Sequence, residues 1–232
     1  MKKYTKQFYE RQVTGSVQSA EIILSALFEQ IAPATCVDYG CGVGGWLSVC
    51  KRLGAKTVVG HDGAYVDRDS LLIDQAEFQE VDLENVEKSK TQFDLAISVE
   101  VAEHLSPNSA HNFVTALASS SNYVLFSAAI PGQGGVRHVN EQWQSYWVTK
   151  FRNHGFVPTT YVKRNFWDDE RIEFWYRQNC ILFVNKSRSS MTNEDIVEDF
   201  GPFDLVHPKQ YDYYQRRGAF ELLKSKLRSF KY

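Results

Sequence analysis

Residues 35–46, Thr-Cys-Val-Asp-Tyr-Gly-Cys-Gly-Val-Gly-Gly-Trp, decide the fold because the local pattern changes there. An apolar, β-prone run ends in glycines at positions 40, 42, 44 and 45, and apolar residues then recur at helical spacing from Trp46. Glycine suits such a turn because it adopts backbone angles that a Cβ disfavours and lets a ligand approach the main chain. The stretch therefore predicts a strand, a tight turn, and a helix whose first N–H groups face a ligand.

Gly40, Gly42 and Gly45 formally satisfy the G-x-G-x-x-G pattern of dinucleotide sites, but Asp38 favours another ligand. A carboxylate at the end of the strand accepts hydrogen bonds from a cationic amino-acid ligand, whereas it repels a pyrophosphate. The stretch resembles motif I of class I S-adenosylmethionine (SAM) dependent methyltransferases. An NAD(P)-dependent oxidoreductase and a non-catalytic SAM-binding subunit remain as alternatives from other classes.

Strand-like and helix-like runs alternate after the glycine turn, which predicts a parallel sheet with helices on both faces. The resemblance implies an α/β, Rossmann-like, doubly wound sheet of seven strands that ends in a reversed β6–β7 hairpin. We expect a methyltransferase domain at 1–186 that begins with a helical lid. A linker and a basic C-terminal helix are expected at 187–232.

The ends of the predicted strands carry the residues that the resemblance assigns to SAM. Asp62 lies about 20 residues after the glycine turn, where an acidic residue reaches a ribose diol. Asp82 and Leu83 are implied to meet the adenine, although an Asp that caps a turn is the alternative. The predicted cofactor set is Tyr9, Gln12, Ser16, Asp38, Gly40, Gly42, Trp46, Asp62, Gly63, Asp82, Leu83, Ser98, Glu100 and Val101.

The acidic, His-containing segment at 99–105 follows the fourth predicted strand. It resembles the wall between SAM and acceptor in class I methyltransferases that act on small molecules. This resemblance implies that Glu103 and His104 border the transfer site. A hydrogen bond that only holds the loop is the alternative for His104.

A general base is predicted because a sugar hydroxyl is a poor nucleophile while it keeps its proton. His138, in the glycine-rich loop after the fifth strand, is the first candidate because a neutral imidazole is available at pH 7. His104 is the second candidate, and Asp168 or Asp169 is the third. We predict no metal, although a divalent site using His138 and Asn140 remains open.

Aromatic and acidic residues are concentrated at 165–179, between the sixth and seventh predicted strands. Aromatic faces beside carboxylates and amides suit a sugar ring, and a small core cluster is the alternative. This segment and the glycine-rich loop resemble a bacterial or viral subgroup linked to sugar and surface-glycan modification. That resemblance implies O-methylation of a saccharide, such as a deoxysugar, free in a glycan or on a nucleotide carrier. N- or carboxyl methylation of another metabolite is the runner-up. The predicted acceptor-binding residues are Glu103, Asn140, Gln142, Trp143, Trp167, Trp175 and Tyr176.

Composition bounds the remaining classes of function. The chain has 232 residues and a net charge of −2, which gives no sign of a general nucleic-acid binder. Its four cysteines form no C-x-x-C pair, which favours reduced thiols in a cytoplasmic protein. No apolar run is long enough to span a membrane. The tail at 209–232 holds seven basic and two acidic residues, which predicts a docked or dimerising helix.

Overall fold

The computed structural model of the protein describes residues 6–187 and 198–215, with side chains from residue 14 onward. Its helices are α1 Lys6–Ile31, α2 Gly45–Arg52, α3 Ala110–Ser120, α4 Gln144–Arg152, α5 Tyr161–Phe166 and α6 Phe174–Asn179. Its strands are β1 Thr35–Tyr39, β2 Thr57–Asp62, β3 Phe78–Glu80, β4 Leu95–Val99, β5 Tyr123–Ser127, β6 Phe156–Pro158 and β7 Ile181–Asn185. A further helical stretch covers 208–215.

The seven strands form one sheet in the order β3-β2-β1-β4-β5-β7-β6. The first five strands are parallel to one another, whereas β7 runs antiparallel to both β5 and β6. This topology confirms the predicted doubly wound sheet with its reversed hairpin. Because β1 and β4 are adjacent and parallel, the glycine turn and the segment after β4 meet at one edge of the sheet.

Both faces of the sheet are covered, which explains why its central strands are mostly apolar. On one face, α1 and α2 pack on the sheet together with side chains of α5 and α6. On the other face, α3 and α4 pack around Phe126, and Phe151 stacks on Phe183 with ring centroids 4.0 Å apart. The four cysteines are buried and free. Among the described residues, no helix is both long and apolar enough to cross a membrane.

The fourth strand begins at Leu95, directly after Asp94. The carboxylate of Asp94 accepts hydrogen bonds from the main-chain N–H groups of Ala34 and Thr35, at 2.9 and 2.8 Å. Asp94 therefore ties the start of β4 to the start of β1. The end of β4, at Val99, lies at the predicted edge of the sheet.

Residues 198–215 pack against the domain. Asp204 accepts hydrogen bonds from the main-chain N–H and the hydroxyl of Ser145, both at 2.8 Å, and the His207 N–H donates to Gln178 at 2.8 Å. Most of the predicted basic helix, at 216–232, lies outside the described residues. The domain division and the dimer stay predictions.

Candidate active site

The glycine turn joins β1 to α2 and is open on its outer side. The main-chain N–H groups of Gly40 and Cys41 donate to the His61 carbonyl, which fixes the turn to the end of β2. A Cβ on Gly40 would lie 2.3 Å from the Val101 side chain, so this position is closed to any other residue. Gly42 has a φ of +53°, and a Cβ added to it would have no heavy atom of the described residues within 4 Å. The turn therefore has room for a ligand at Gly42.

Asp38 is a buried carboxylate next to this open space. Its side chain is 1% exposed, and its Oδ1 has no hydrogen-bond partner among the residues that the structure describes. Burial raises the pKa of Asp38 well above its usual range, and the charge of Asp62 raises it further. An orphaned buried carboxylate is costly, so the site fits a ligand that brings a cationic donor.

Asp62 braces the turn from the end of β2. Its carboxylate accepts the main-chain N–H groups of Gly42 and Gly63, each at 2.7 Å, and the hydroxyl of Tyr65. Tyr65 is 84% exposed and can leave without disturbing the core. The tyrosine hydroxyl therefore marks a place where a ligand hydroxyl could bond instead.

Ser16, Trp46 and Tyr176 form a small polar cluster beside the turn. The Ser16 hydroxyl accepts from Trp46 Nε1 and from the Tyr176 hydroxyl, both at 3.1 Å. Tyr176 was predicted to bind the acceptor, but the structure buries it and places it with the cofactor candidates. The side chains of Tyr9 and Gln12 lie outside the described residues, so their assignment stays a prediction.

Three other predicted cofactor residues have local structural partners. Ser98 is fully buried, and its hydroxyl donates to the Tyr39 carbonyl at 2.9 Å, which joins β4 to β1. Asp82 caps a short turn by accepting from the Glu84 N–H at 3.1 Å. Leu83 is buried in the core. Ser98 therefore stabilises the sheet and Asp82 caps a turn, whereas the expected contacts of Asp82 and Leu83 with the adenine stay predictions.

Glu100 is held by a buried polar network after β4. Its carboxylate accepts from Ser127 Oγ at 2.9 Å, Gln133 Nε2 at 2.7 Å and Asn179 Nδ2 at 3.0 Å. Burial raises its pKa, and these hydrogen bonds oppose the rise. Its φ of +54° is unusual for a residue with a side chain, so the network stabilises a strained turn. The sequence analysis missed Ser127, Gln133 and Asn179, which belong to three different segments.

Glu103, His104 and His138 lie together at the same edge of the sheet. One donor atom from each side chain lies within 4.8 Å of the other two, and the two imidazole rings meet edge-on with centroids 4.8 Å apart. The loop reaches this position because the N–H groups of Val139 and Asn140 donate to the Glu103 carbonyl, at 2.9 and 3.0 Å. The structure thus brings together three of the residues predicted for the transfer site.

The orientation of His138 is fixed by Glu141. Glu141 Oε1 lies 2.8 Å from His138 Nδ1, a contact that favours the neutral tautomer with its proton on Nδ1 and its lone pair on Nε2. Burial raises the pKa of Glu141, but hydrogen bonds from His138, Gly132 and Gly134 outweigh this and leave the pKa lowered. Glu141 therefore stays an anion that can orient the imidazole, a role that the sequence analysis missed.

Asp168 and Asp169 belong to a different part of the structure. Asp169 forms a bidentate pair with Arg171, at 2.9 Å from Nε and 2.5 Å from Nη2. The hydrogen bond from Arg171 lowers the pKa of Asp169, so this carboxylate is a poor base. Asp168 is exposed and lies near His207. The proposed roles of both as bases lose their support because the arginine already neutralises one and neither joins the cluster at His138.

The remaining acceptor candidates divide into buried and exposed side chains. Asn140 is buried, and its Oδ1 accepts from Gln142 Nε2 at 3.0 Å, so the two amides shape the loop. Trp175 packs on the core. Trp167 contacts His207, with ring centroids 4.9 Å apart. Trp143 is 40% exposed at the start of α4 and is therefore available to a ligand.

The family of the chain follows from comparison with known proteins. The family model described as a methyltransferase domain matches residues 9–168. No curated protein matches the chain in sequence at a significant level.

Solved structures show the same fold at low sequence identity. The methyltransferase domain of bacterial CtHen1-C has a TM-score of 0.55 at 20% identity, covering 72% of this chain and 97% of that chain. Magnesium protoporphyrin IX methyltransferase from Synechocystis, with bound S-adenosylhomocysteine (SAH), has a TM-score of 0.54 at 17% identity, covering 79% and 90%. A TehB-like SAM-dependent methyltransferase from Corynebacterium glutamicum has a TM-score of 0.52 at 16% identity, covering 78% and 96%. The chain has the class I methyltransferase fold and belongs to the methyltransferase-domain family.

Proposed function

We propose that the protein transfers the methyl group of SAM to a hydroxyl group of a small polar acceptor, most simply a saccharide. SAM supplies an electrophilic methyl group on a sulfonium ion. The observation that carries the proposal is the meeting of an open glycine turn with the Glu103, His104 and His138 cluster at one edge of the sheet. The family assignment and the fold support the use of SAM as methyl donor.

The residues around the glycine turn fit SAM as cofactor. Asp38 offers a free buried carboxylate oxygen to a cationic amino group, and Asp62 offers a carboxylate to ribose hydroxyls in exchange for Tyr65. Gly42 leaves the main chain open to the ligand. These features favour SAM over a dinucleotide. Asp38 is already repelled by the charge of Asp62, and a pyrophosphate would add further negative charge beside it.

The acceptor is proposed to lie beside His138 and the exposed Trp143. His138 Nε2 has its lone pair free for a proton or another electrophile, since Nδ1 is bound to Glu141. A group that removes or stabilises the acceptor proton accelerates transfer by roughly 10²–10⁴-fold. An exposed indole suits the C–H face of a sugar ring. A neutral amine can attack the methyl group without a base, whereas a hydroxyl benefits from one. We therefore favour an oxygen acceptor over an amine.

Asp38→Asn is expected to have opposite effects on stability and on binding. The amide removes a buried charge, so the free energy of unfolding of the ligand-free protein should rise by about 1–3 kcal/mol. SAH affinity should fall at least about tenfold because a charged hydrogen bond is lost. Urea unfolding and calorimetry measure the two effects.

The pH dependence gives a second signature of Asp38. Its folded pKa is raised, so the wild-type protein loses stability as the pH rises from the usual Asp pKa through the folded value. The Asn variant should lack that loss. Equal slopes in the two proteins, or unchanged SAH affinity, would contradict the assigned role of Asp38.

Transfer of labelled methyl from SAM to a panel of acceptors tests the proposed reaction. We expect label on hydroxyl groups of free, glycan-bound or nucleotide-linked sugars, and none on amines or carboxylates. Label on an amine or a carboxylate instead would support the runner-up reaction.

Trp143→Ala is expected to raise the KM for a sugar acceptor about tenfold and to leave SAH affinity unchanged, because only the stacking face is removed. Phe200→Ala is the matched control, since Phe200 is also an exposed aromatic residue. An unchanged KM in the Trp143 variant would remove this residue from the acceptor site. Trp167 and Trp175 stay predictions.

A further inference from the structure

We propose that Glu103, His104 and His138 bind a divalent transition-metal ion, which contacts the acceptor oxygen. The proposal rests on the proposed methyl transfer for its function, but the binding of the ion is a separate property. It departs from the expectation that no metal takes part and shares His138 with the divalent site that the sequence left open. The argument depends on the donor set, on the groups behind each donor, and on one unpartnered oxygen.

The donor set is two imidazoles and one carboxylate. This combination suits first-row divalent ions such as Mn²⁺, Fe²⁺, Co²⁺ and Zn²⁺ and leaves coordination positions open. The donor atoms lie within 4.8 Å of one another. Bonds of about 2.0–2.2 Å would bring neighbouring donors to roughly 3.0–3.5 Å. The adjustment is small, and His104 is exposed, so a change of its side-chain torsions could supply it.

Both histidines are oriented as metal ligands usually are. A ligand histidine donates its second ring N–H to a carboxylate or a main-chain carbonyl, which fixes the other nitrogen towards the ion. His138 uses the Glu141 carboxylate at 2.8 Å. The main chain of Arg137 lies beside the His104 ring and offers it a partner of the same kind. Each ring therefore keeps one nitrogen for the ion.

The Glu103 carboxylate supplies an independent observation. Its side chain is 1% exposed, and its Oε2 has no hydrogen-bond partner within 14–187 and 198–215. Main-chain N–H groups of Glu103 and Ala129 contact the carboxylate. A buried carboxylate oxygen without a donor is unfavourable unless a cation pairs with it. The ion would satisfy this oxygen.

The ion would have a direct role at the acceptor. The exposed side of the cluster, at His104, leaves space for an oxygen ligand. A hydroxyl bound to a divalent ion loses its proton more readily, so the ion would lower the pKa of the acceptor hydroxyl, and the proton would pass to solvent at this exposed side. In this arrangement Glu103, His104 and His138 hold the ion, and Glu141 is a positioning residue.

Gly135 offers a variant that moves a ligand without removing it. A Cβ at this position would lie 2.1 Å from His138 Nε2, so Gly135→Ala must displace the imidazole. The imidazole is the end of a flexible side chain, so the protein should still fold. All three proposed ligands remain in this variant, so a loss of ion binding would come from the changed position of the imidazole and not from a missing ligand.

Calorimetric titration of chelator-treated full-length protein with Co²⁺ tests the proposal. We expect one bound Co²⁺ per chain in the wild type. Glu103→Gln, His138→Ala and Gly135→Ala should each weaken Co²⁺ binding at least about tenfold. His111→Ala is the control, because His111 lies next to His154 elsewhere on the surface, with ring centroids 6.0 Å apart. SAH binding within a few-fold of wild type shows that each variant is folded.

The outcomes separate this proposal from the proposed function. Absence of Co²⁺ binding to wild type, unchanged binding in the His138 and Glu103 variants, or loss in the His111 variant would overturn the metal site. Methyl transfer that survives the chelator would remove the ion from the reaction and leave the methyltransferase intact. Loss of SAH binding in the wild type would instead reject the proposed function.

Discussion

Gly42→Val is expected to lower SAH affinity by at least about 100-fold while the protein still folds. The physical reason is that a Cβ added to Gly42 has no atom of the described residues within 4 Å, so the new side chain would occupy the space proposed for the ligand. A β-branched residue at φ +53° is also strained, which shifts the turn away from its binding conformation. Calorimetry with SAH measures the loss, and circular dichroism checks the fold.

The control for this substitution is Gly155→Val. Gly155 also has a positive φ, and a Cβ added to it would have no heavy atom of the described residues within 4 Å. Unlike Gly42, it lies between α4 and β6. It should lose a similar amount of stability and keep SAH affinity. Normal SAH binding by the Gly42 variant would mean that the ligand does not contact the turn.

His138→Ala is expected to lower turnover by about 10²–10⁴-fold, with SAH affinity within a few-fold of wild type. The reason is that Nε2 is the free nitrogen of a ring that Glu141 holds in place beside Glu103 and His104. Single-turnover methyl transfer at saturating SAM measures the effect. The size of the loss is expected whether Nε2 accepts the acceptor proton or binds an ion.

His138→Gln and His111→Ala complete this test. The glutamine keeps some hydrogen bonding without basicity and is expected to be almost as slow as alanine. His111 is exposed on α3, and its alanine variant should turn over normally. Near-normal turnover of the glutamine variant would show that residue 138 only positions the acceptor, and His104 would become the candidate.

The glycine turn could be predicted from sequence because its signals are local. The positions of Asp38, Gly42 and Asp62 follow from a strand, a turn and the next strand, and the parallel sheet brings their ends together. The reversed hairpin followed from the class I resemblance. No step in that inference needed the packing of distant side chains.

The partners of the transfer-site residues could not be predicted because they depend on tertiary contacts. His138 reaches Glu103 only because the N–H groups of Val139 and Asn140 bond the Glu103 carbonyl. Tyr176 lies with the cofactor candidates because its hydroxyl meets Ser16 on α1. Aromatic composition alone does not distinguish such a buried ring from an exposed one like Trp143.

The pair of acids at 168 and 169 shows a signal that was present in the sequence. Arg171 follows Asp169 by two residues, close enough for a local ion pair that neutralises the carboxylate. The role of Ser98, in contrast, could not be predicted from neighbouring residues in the sequence. Its hydroxyl bonds the Tyr39 carbonyl because β1 and β4 are adjacent, and the order of strands in the sheet determines that contact.

Calorimetric titration of the wild-type chain with SAH, and separately with NAD, tests the central claim most directly. We expect one SAH bound per chain and no detectable NAD binding, because the orphaned carboxylate of Asp38 favours a cationic group and disfavours a pyrophosphate. Binding of NAD, or absence of SAH binding by folded protein, would contradict it.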